Sequence, residues 1–243
     1  MTDSRSVTAS TSNLSMHFWA VLPQKHRLIF LSGVSKLSKD YVTVRCQAQD
    51  EFIERRSKFI GYVMPVTTEA QALDFINEIR TRHWDATHNV YAYVIREQNL
   101  CRYSDDHEPQ GTAGVPVLDV IRKSGLTDVC VVVTRYFGGV LLGAGGLVRA
   151  YSHGASIGLA KAGRREMITC FNCRVTCSYS QYGKLGSLLP ECGAVLDDTL
   201  FEDNVTLCFH IPVGDIGVFN KKLADATGGT VETEIIEEKY YSF

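Results

Sequence analysis

The 243 residues carry 25 Lys and Arg against 27 Asp and Glu, and 45% of them are hydrophobic. This is enough apolar material for a sizeable core and fits about two compact domains. The formal charge of −2 excludes an overall basic field, so an anionic partner has to be met by a local patch.

The charge is unevenly placed. Residues 1–40 hold five Lys and Arg against two acids, residues 41–163 hold thirteen of each, and residues 164–243 hold seven against twelve. The last third is therefore a poor surface for phosphates. No run approaches the roughly 18 apolar residues of a membrane-spanning helix. Eight irregularly spaced cysteines without a secretory signal point to reduced thiols in a cytoplasmic protein.

In chain order, residues 1–15 are rich in Ser and Thr and lack apolar periodicity, and residues 16–39 are apolar without a period. The stretch 1–40 is expected to be a disordered or poorly ordered leader. Tyr41, Val42 and Val44 begin a β-prone segment, followed by Phe52-Ile53 and by Lys58–Val63, three strands expected to form a meander. Thr68 and Gln71 make a capping box, and Ala72, Phe75, Ile76 and Ile79 recur at helical spacing behind it. Asn89–Ile95 reads as a strand. At its entrance, Trp84 is expected to plug the core, and His83, Asp85 and His88 match no metal-ligand spacing.

Arg102 to Gly114 reads as a loop. Asp105, Asp106 and Glu108 in it could hold a divalent cation or work as an acid and base, but carboxylates in such loops routinely cap backbone N–H groups. Gly111, Thr112 and Gly114 complete this motif. A helix from Val115 or Pro116 to Ser124 follows, and then Val129–Val133, five apolar residues suited to a strand buried on both faces. Gly138, Gly139, Gly143, Gly145 and Gly146 lead into a helix, Leu147–Ala162, with Leu147, Tyr151, Ala155 and Leu159 on one stripe. From Arg164 the pattern is strand, helix, two strands, helix and strand, the ferredoxin-like βαββαβ order; His210 alternates onto its outward face. Cys170, Cys173 and Cys177 on one strand point to different faces and do not make a zinc site.

A strand, a glycine loop and a helix start form a natural anion site. The chain has neither a P-loop nor a dinucleotide fingerprint, so no nucleotide cofactor is expected, and neither a Gly-x-Ser-x-Gly elbow nor a nucleophilic triad is present. The candidate binding set is Arg122, Lys123, Arg135, Tyr136, Gly138, Gly139, Gly145, Gly146 and Arg149: cations for phosphate and an aromatic ring for an unpaired base. Two readings of it stay open. Arg135 and Tyr136 face a ligand, or Arg135 pairs with Asp105, Asp106 or Asp128 and the ring belongs to the core.

The segments Arg102–Gly114, Val133–Gly143 and Gly145–Tyr151 resemble the signature motifs of the YigZ/IMPACT family, and the likeness runs from about Tyr41 to the C-terminus. The resemblance implies an α+β protein of two domains: a ribosomal-protein-like two-layer α/β sandwich over 41–163, and a ferredoxin-like sandwich over 164–243 similar to one in elongation factor G. Both are associated with RNA and translation. Eukaryotic members regulate translation initiation by competing for the activator of a stress-response kinase. That activity involves a further N-terminal module not found in these residues, so it is not carried over. His107, Gln110 and Val115 stand where the family usually has glycine, serine and lysine, and loss of the lysine weakens phosphate binding at the acidic loop.

The expectation is thus a cytosolic, translation-associated factor without catalytic residues, metal or cofactor, binding RNA, a ribosome or a translation factor through the glycine-loop face. The alternatives are a metal-assisted enzyme acting on a phosphate compound through the acidic loop, and an adaptor whose acidic C-terminal domain docks a basic protein.

Overall fold

The computed structural model describes residues 40–97 and 99–242, and the expected leader lies outside the described residues apart from Asp40. The described residues form β1 (Tyr41–Val44), β2 (Ala48–Glu54), β3 (Ser57–Pro65), α1 (Glu69–Arg82), β4 (His88–Ile95), β5 (Leu100–Ser104), α2 (Gly114–Lys123), β6 (Val129–Tyr136) and α3 (Ala144–Ala162). A second run comprises β7 (Arg164–Cys177), α4 (Tyr179–Glu191), β8 (Val195–Phe201), β9 (Val205–Pro212), α5 (Ile216–Thr227) and β10 (Glu234–Ser242).

The first sheet has the antiparallel order β2-β3-β6-β4-β5. The valine-rich β6 is its central strand and is buried on both faces. Cys130 and Val132 face α1, whose Ala72, Phe75, Ile76 and Ile79 form the apolar stripe that the spacing predicts. The capping box between Thr68 and Gln71 is formed. Val131 and Val133 face the opposite core with Val117, Ile121, Leu147 and Tyr151 of α2 and α3. Helices thus cover both faces, which adds a layer to the expected two within an α+β fold of two domains.

Close packing fixes α3 on the sheet. A Cβ at Gly61 would sit 2.1 Å from the Gly154 carbonyl oxygen, so the helix backbone rests directly on β3. The expected loop over 102–114 is corrected at its start: Arg102–Ser104 belong to β5, the edge strand paired with β4. Its short run Leu-Cys-Arg-Tyr-Ser has too little alternation to announce a strand.

The second sheet runs β10-β7-β9-β8, the ferredoxin-like order, with α4 and α5 covering one face through Leu185, Leu188, Leu189, Phe219 and Leu223. The meander expected for the first three strands is corrected here. β1 does not join β2 but pairs antiparallel with the start of β7, Tyr41 opposite Met167 and Val44 opposite Arg164. Local patterning identified the strand but carried no information on its partner. His210 does alternate to the helix-free face, yet it is buried: its ring stacks at 3.7 Å on Tyr241 and its Nδ1 lies 2.8 Å from Asp197.

Arg96 ties the two sheets together. Its guanidinium lies over the rings of Tyr41 and Tyr240, at 4.3 and 4.7 Å, donates to the Tyr240 hydroxyl at 3.1 Å and approaches Asp128 at 3.5 Å. Asp128 is held in turn by the Arg96 N–H, and its carbonyl accepts from Thr43 of β1.

Candidate functional site

The end of β6 delivers Arg135 into the interior, where it is 5% exposed. Its Nη1 donates to Glu108 Oε1 at 2.5 Å, and the same oxygen accepts from the Tyr151 hydroxyl at 2.7 Å. His88 Nε2 stands 3.6 Å from that carboxylate. The rings of Phe59 and Phe137 lie about the guanidinium, 5.5 and 5.4 Å from its centre. Its Nε has no hydrogen-bond partner among the described residues, a position in which aromatic faces supply part of the missing stabilisation. Burial first, and then the adjacent Glu108 charge, push the Tyr151 hydroxyl far above its usual pKa, so it stays a donor.

The phosphate-ligand reading of Arg135 is therefore corrected: the guanidinium is consumed within the fold, and by Glu108 rather than by Asp105, Asp106 or Asp128. The other carboxylates of the loop are likewise engaged. Asp105 accepts from the backbone N–H groups of Gly111, Ala113 and Gly114 and so caps the start of α2. Asp106 accepts from the Asn89 N–H at 2.6 Å and from Arg80 at 3.2 Å. Thr112 bonds the Pro109 carbonyl, and Gly114 packs where a Cβ would lie 2.8 Å from Ser104 oxygen. Among the described residues no three His, Cys, Asp or Glu side chains converge as metal ligands. The acidic loop is a frame whose three carboxylates are all engaged by groups of the fold.

Tyr136 is also corrected as an open stacking platform. Its hydroxyl bonds His83 Nδ1 at 2.9 Å and Asp85 at 3.0 Å, and its ring packs against that histidine. The Tyr62 hydroxyl lies 2.5 Å from the other nitrogen of the His83 ring. Burial, with the nearby Arg82 charge, lowers the His83 pKa, so the neutral ring donates to one tyrosine and accepts from the other.

Above this buried layer lies an exposed one. Gly138 rests on the turn between β2 and β3, where a Cβ would come within 2.0 Å of the Arg56 carbonyl. Gly138, Gly139, Gly145 and Gly146 thus share one end of the domain with Arg149, which is exposed in the second turn of α3 and lies near Gly145. The α3 N-cap is Gly143, at φ 71° and ψ 164°, a conformation essentially confined to glycine. Arg122 and Lys123 are not brought here. They end α2 at the far end of the domain, about 28 Å away by the length of the 19-residue α3.

Sequence reading missed four residues of this surface, Trp84, Leu141, Arg55 and Arg56. Trp84, expected in the core, is 83% exposed on the turn beside Thr87, whose hydroxyl accepts the Phe137 N–H. Phe137 and Leu141 are 46% and 82% exposed on the glycine loop. Arg55 and Arg56 form the whole β2–β3 turn, both left-handed at φ 45° and 68°, where Asn-Gly is the favoured pair. Two strands separated by two residues were the available signal, and Arg-Arg at such a turn is costly enough to point to use of the side chains.

The model of the Impact N-terminal domain matches residues 55–159, and that of a domain of unknown function (DUF1949) matches residues 175–230. The chain is 39% identical to the IMPACT family member YvyE of Bacillus subtilis over 190 residues, 78% of this chain and 88% of that protein. It is 32% identical to the IMPACT family member YigZ of Escherichia coli over 187 residues, 76% and 92% of the two. Protein IMPACT of Xenopus laevis is 34% identical over 94 residues, 37% of this chain and 30% of that one. A crystal structure of a hypothetical protein, 29% identical, superposes with a TM-score of 0.53 over 83% of this chain and 99% of that one.

Proposed function

The chain belongs to the IMPACT family, and from that membership we propose that it is a translation-associated binding protein that grips single-stranded RNA at the glycine-loop end. The reading rests above all on the Arg55-Arg56 turn, two cations held in an unfavourable backbone conformation against Gly138. Neighbouring Trp84 and Phe137 offer exposed rings for unpaired bases, and Arg149 adds a third cation; Arg55 Nε lies 4.0 Å from Glu54 at the surface, whereas Arg149 has no acidic partner among the described residues. Stacking accepts any base and phosphate contact reads no sequence, so binding here is tolerant of sequence. The buried Glu108–Arg135–Tyr151 layer acts as the rigid floor that positions the loop. Eight free cysteines fit residence in a reducing cytoplasm.

Fluorescence anisotropy with a labelled single-stranded RNA tests this. The slope of log affinity against log salt is expected to fall by about one unit in Arg149→Ala. Trp84→Ala is expected to weaken binding by about 1–3 kcal/mol. Absence of binding at low salt overturns the reading.

A further inference from the structure

The two domains meet at a second cationic surface. Arg45 follows β1, Arg122 and Lys123 end α2, Lys161 lies in the last turn of α3, and Arg164 opens β7. The backbone brings these segments together: the Arg45 N–H donates to the Gly163 carbonyl at 3.1 Å, and Arg164 Nη1 donates to the Ser124 carbonyl at 3.0 Å. Val44 pairs with Arg164 across the β1–β7 ladder. All five side chains are exposed, and none forms an ion pair among the described residues.

Cations at helix C-termini have an ordinary explanation, because they complement the helix dipole. That account covers Arg122, Lys123 and Lys161 but not Arg45 or Arg164, which lie outside both helices. Two helix ends offset roughly one of the five charges. Asp119 and Glu166, on the same elements, offset two more. An excess of about +2 remains on a chain whose total is −2. Among the described residues, none of the exposed large apolar side chains belongs to the segments that carry these cations. A protein partner would need such an anchor at its centre, whereas a phosphate backbone needs only the charges.

We propose that the patch of Arg45, Arg122, Lys123, Lys161 and Arg164 at the domain junction holds the phosphate backbone of duplex RNA. It lacks a ring for stacking, so it suits paired nucleotides, while the glycine-loop end, about 28 Å away along α3, takes unpaired ones. The partner is then an RNA in which a stem adjoins a single-stranded segment. This inference rests on the RNA-binding reading above.

The full chain is titrated with a labelled RNA duplex and with a single strand of the same length, across a salt series. In the triple variant Arg122→Ala, Lys123→Ala, Lys161→Ala the salt slope for the duplex is expected to fall by about three, with single-strand binding and thermal melting unchanged. Poly-glutamate should compete poorly. If the wild type binds the single strand in an Arg149-dependent way but the triple variant keeps its duplex affinity, the patch proposal alone is overturned. If poly-glutamate displaces the duplex at equal charge, the patch is a site for acidic protein and the proposal fails. If neither RNA binds at low salt, both readings fall together.

Discussion

Replacing Glu108 by Gln would leave the Arg135 guanidinium buried against Phe59 and Phe137 without a countercharge. Removing one member of such a pair costs about 3–5 kcal/mol, whereas replacing both by apolar side chains of similar volume is often near neutral. Urea denaturation followed by circular dichroism should therefore show a large loss for Glu108→Gln and a much smaller one for the double variant Glu108→Leu, Arg135→Met. Comparable losses would mean that Tyr151 and His88, not the ion pair, dominate this layer. The sequence left open whether Arg135 faces a ligand or pairs with an acid of the neighbouring segments. Which acid it takes depends on how the loop folds back: Asp105 turns onto the N–H groups of α2, and the third carboxylate is thereby aimed inward.

At the level of elements, periodicity located the helices well because their buried stripes are long, as in α1 and α3. Short edge pieces escaped it. β5 has five residues, two of them exposed and none buried, and Trp84 sits on a turn where no period exists to say which way it points. The β2–β3 turn carries a prediction of its own. Arg55→Asn with Arg56→Gly installs the favoured pair for a two-residue turn and relieves two left-handed arginines. Stability should rise, by about 1 kcal/mol or more, while affinity for single-stranded RNA falls. Denaturation and anisotropy on the same variant measure the two halves of this opposition; a variant that gains stability with undiminished binding would remove the turn from the site.

For the whole molecule, the residues on either side of Gly163-Arg164 pack into separate hydrophobic cores, and the connection between them was not readable in the sequence. The break at Gly163-Arg164 separates two hydrophobic cores, yet β1 crosses it to join the second sheet, and Arg96 clasps Tyr41 and Tyr240 over the seam. Nothing local in a four-residue strand encodes a partner so distant in the chain. Arg96→Ala removes the clasp while leaving both cores intact. Limited proteolysis should then cut faster around residues 163–164, and unfolding should resolve into two steps; an unchanged digestion pattern would mean that the β1–β7 ladder alone secures the seam.

The crossing of β1 also has a temporal side. Its complement on β7 is synthesised about 120 residues later, which at the usual pace of translation is a delay on the order of 6–24 s. Through that interval the nascent chain carries an unmatched strand, and the β1–β7 ladder cannot form until the start of β7 has left the ribosome. Joining of the two sheets therefore waits for β7, and a nascent chain released before it would present the open strand edge of β1 to chaperones and proteases.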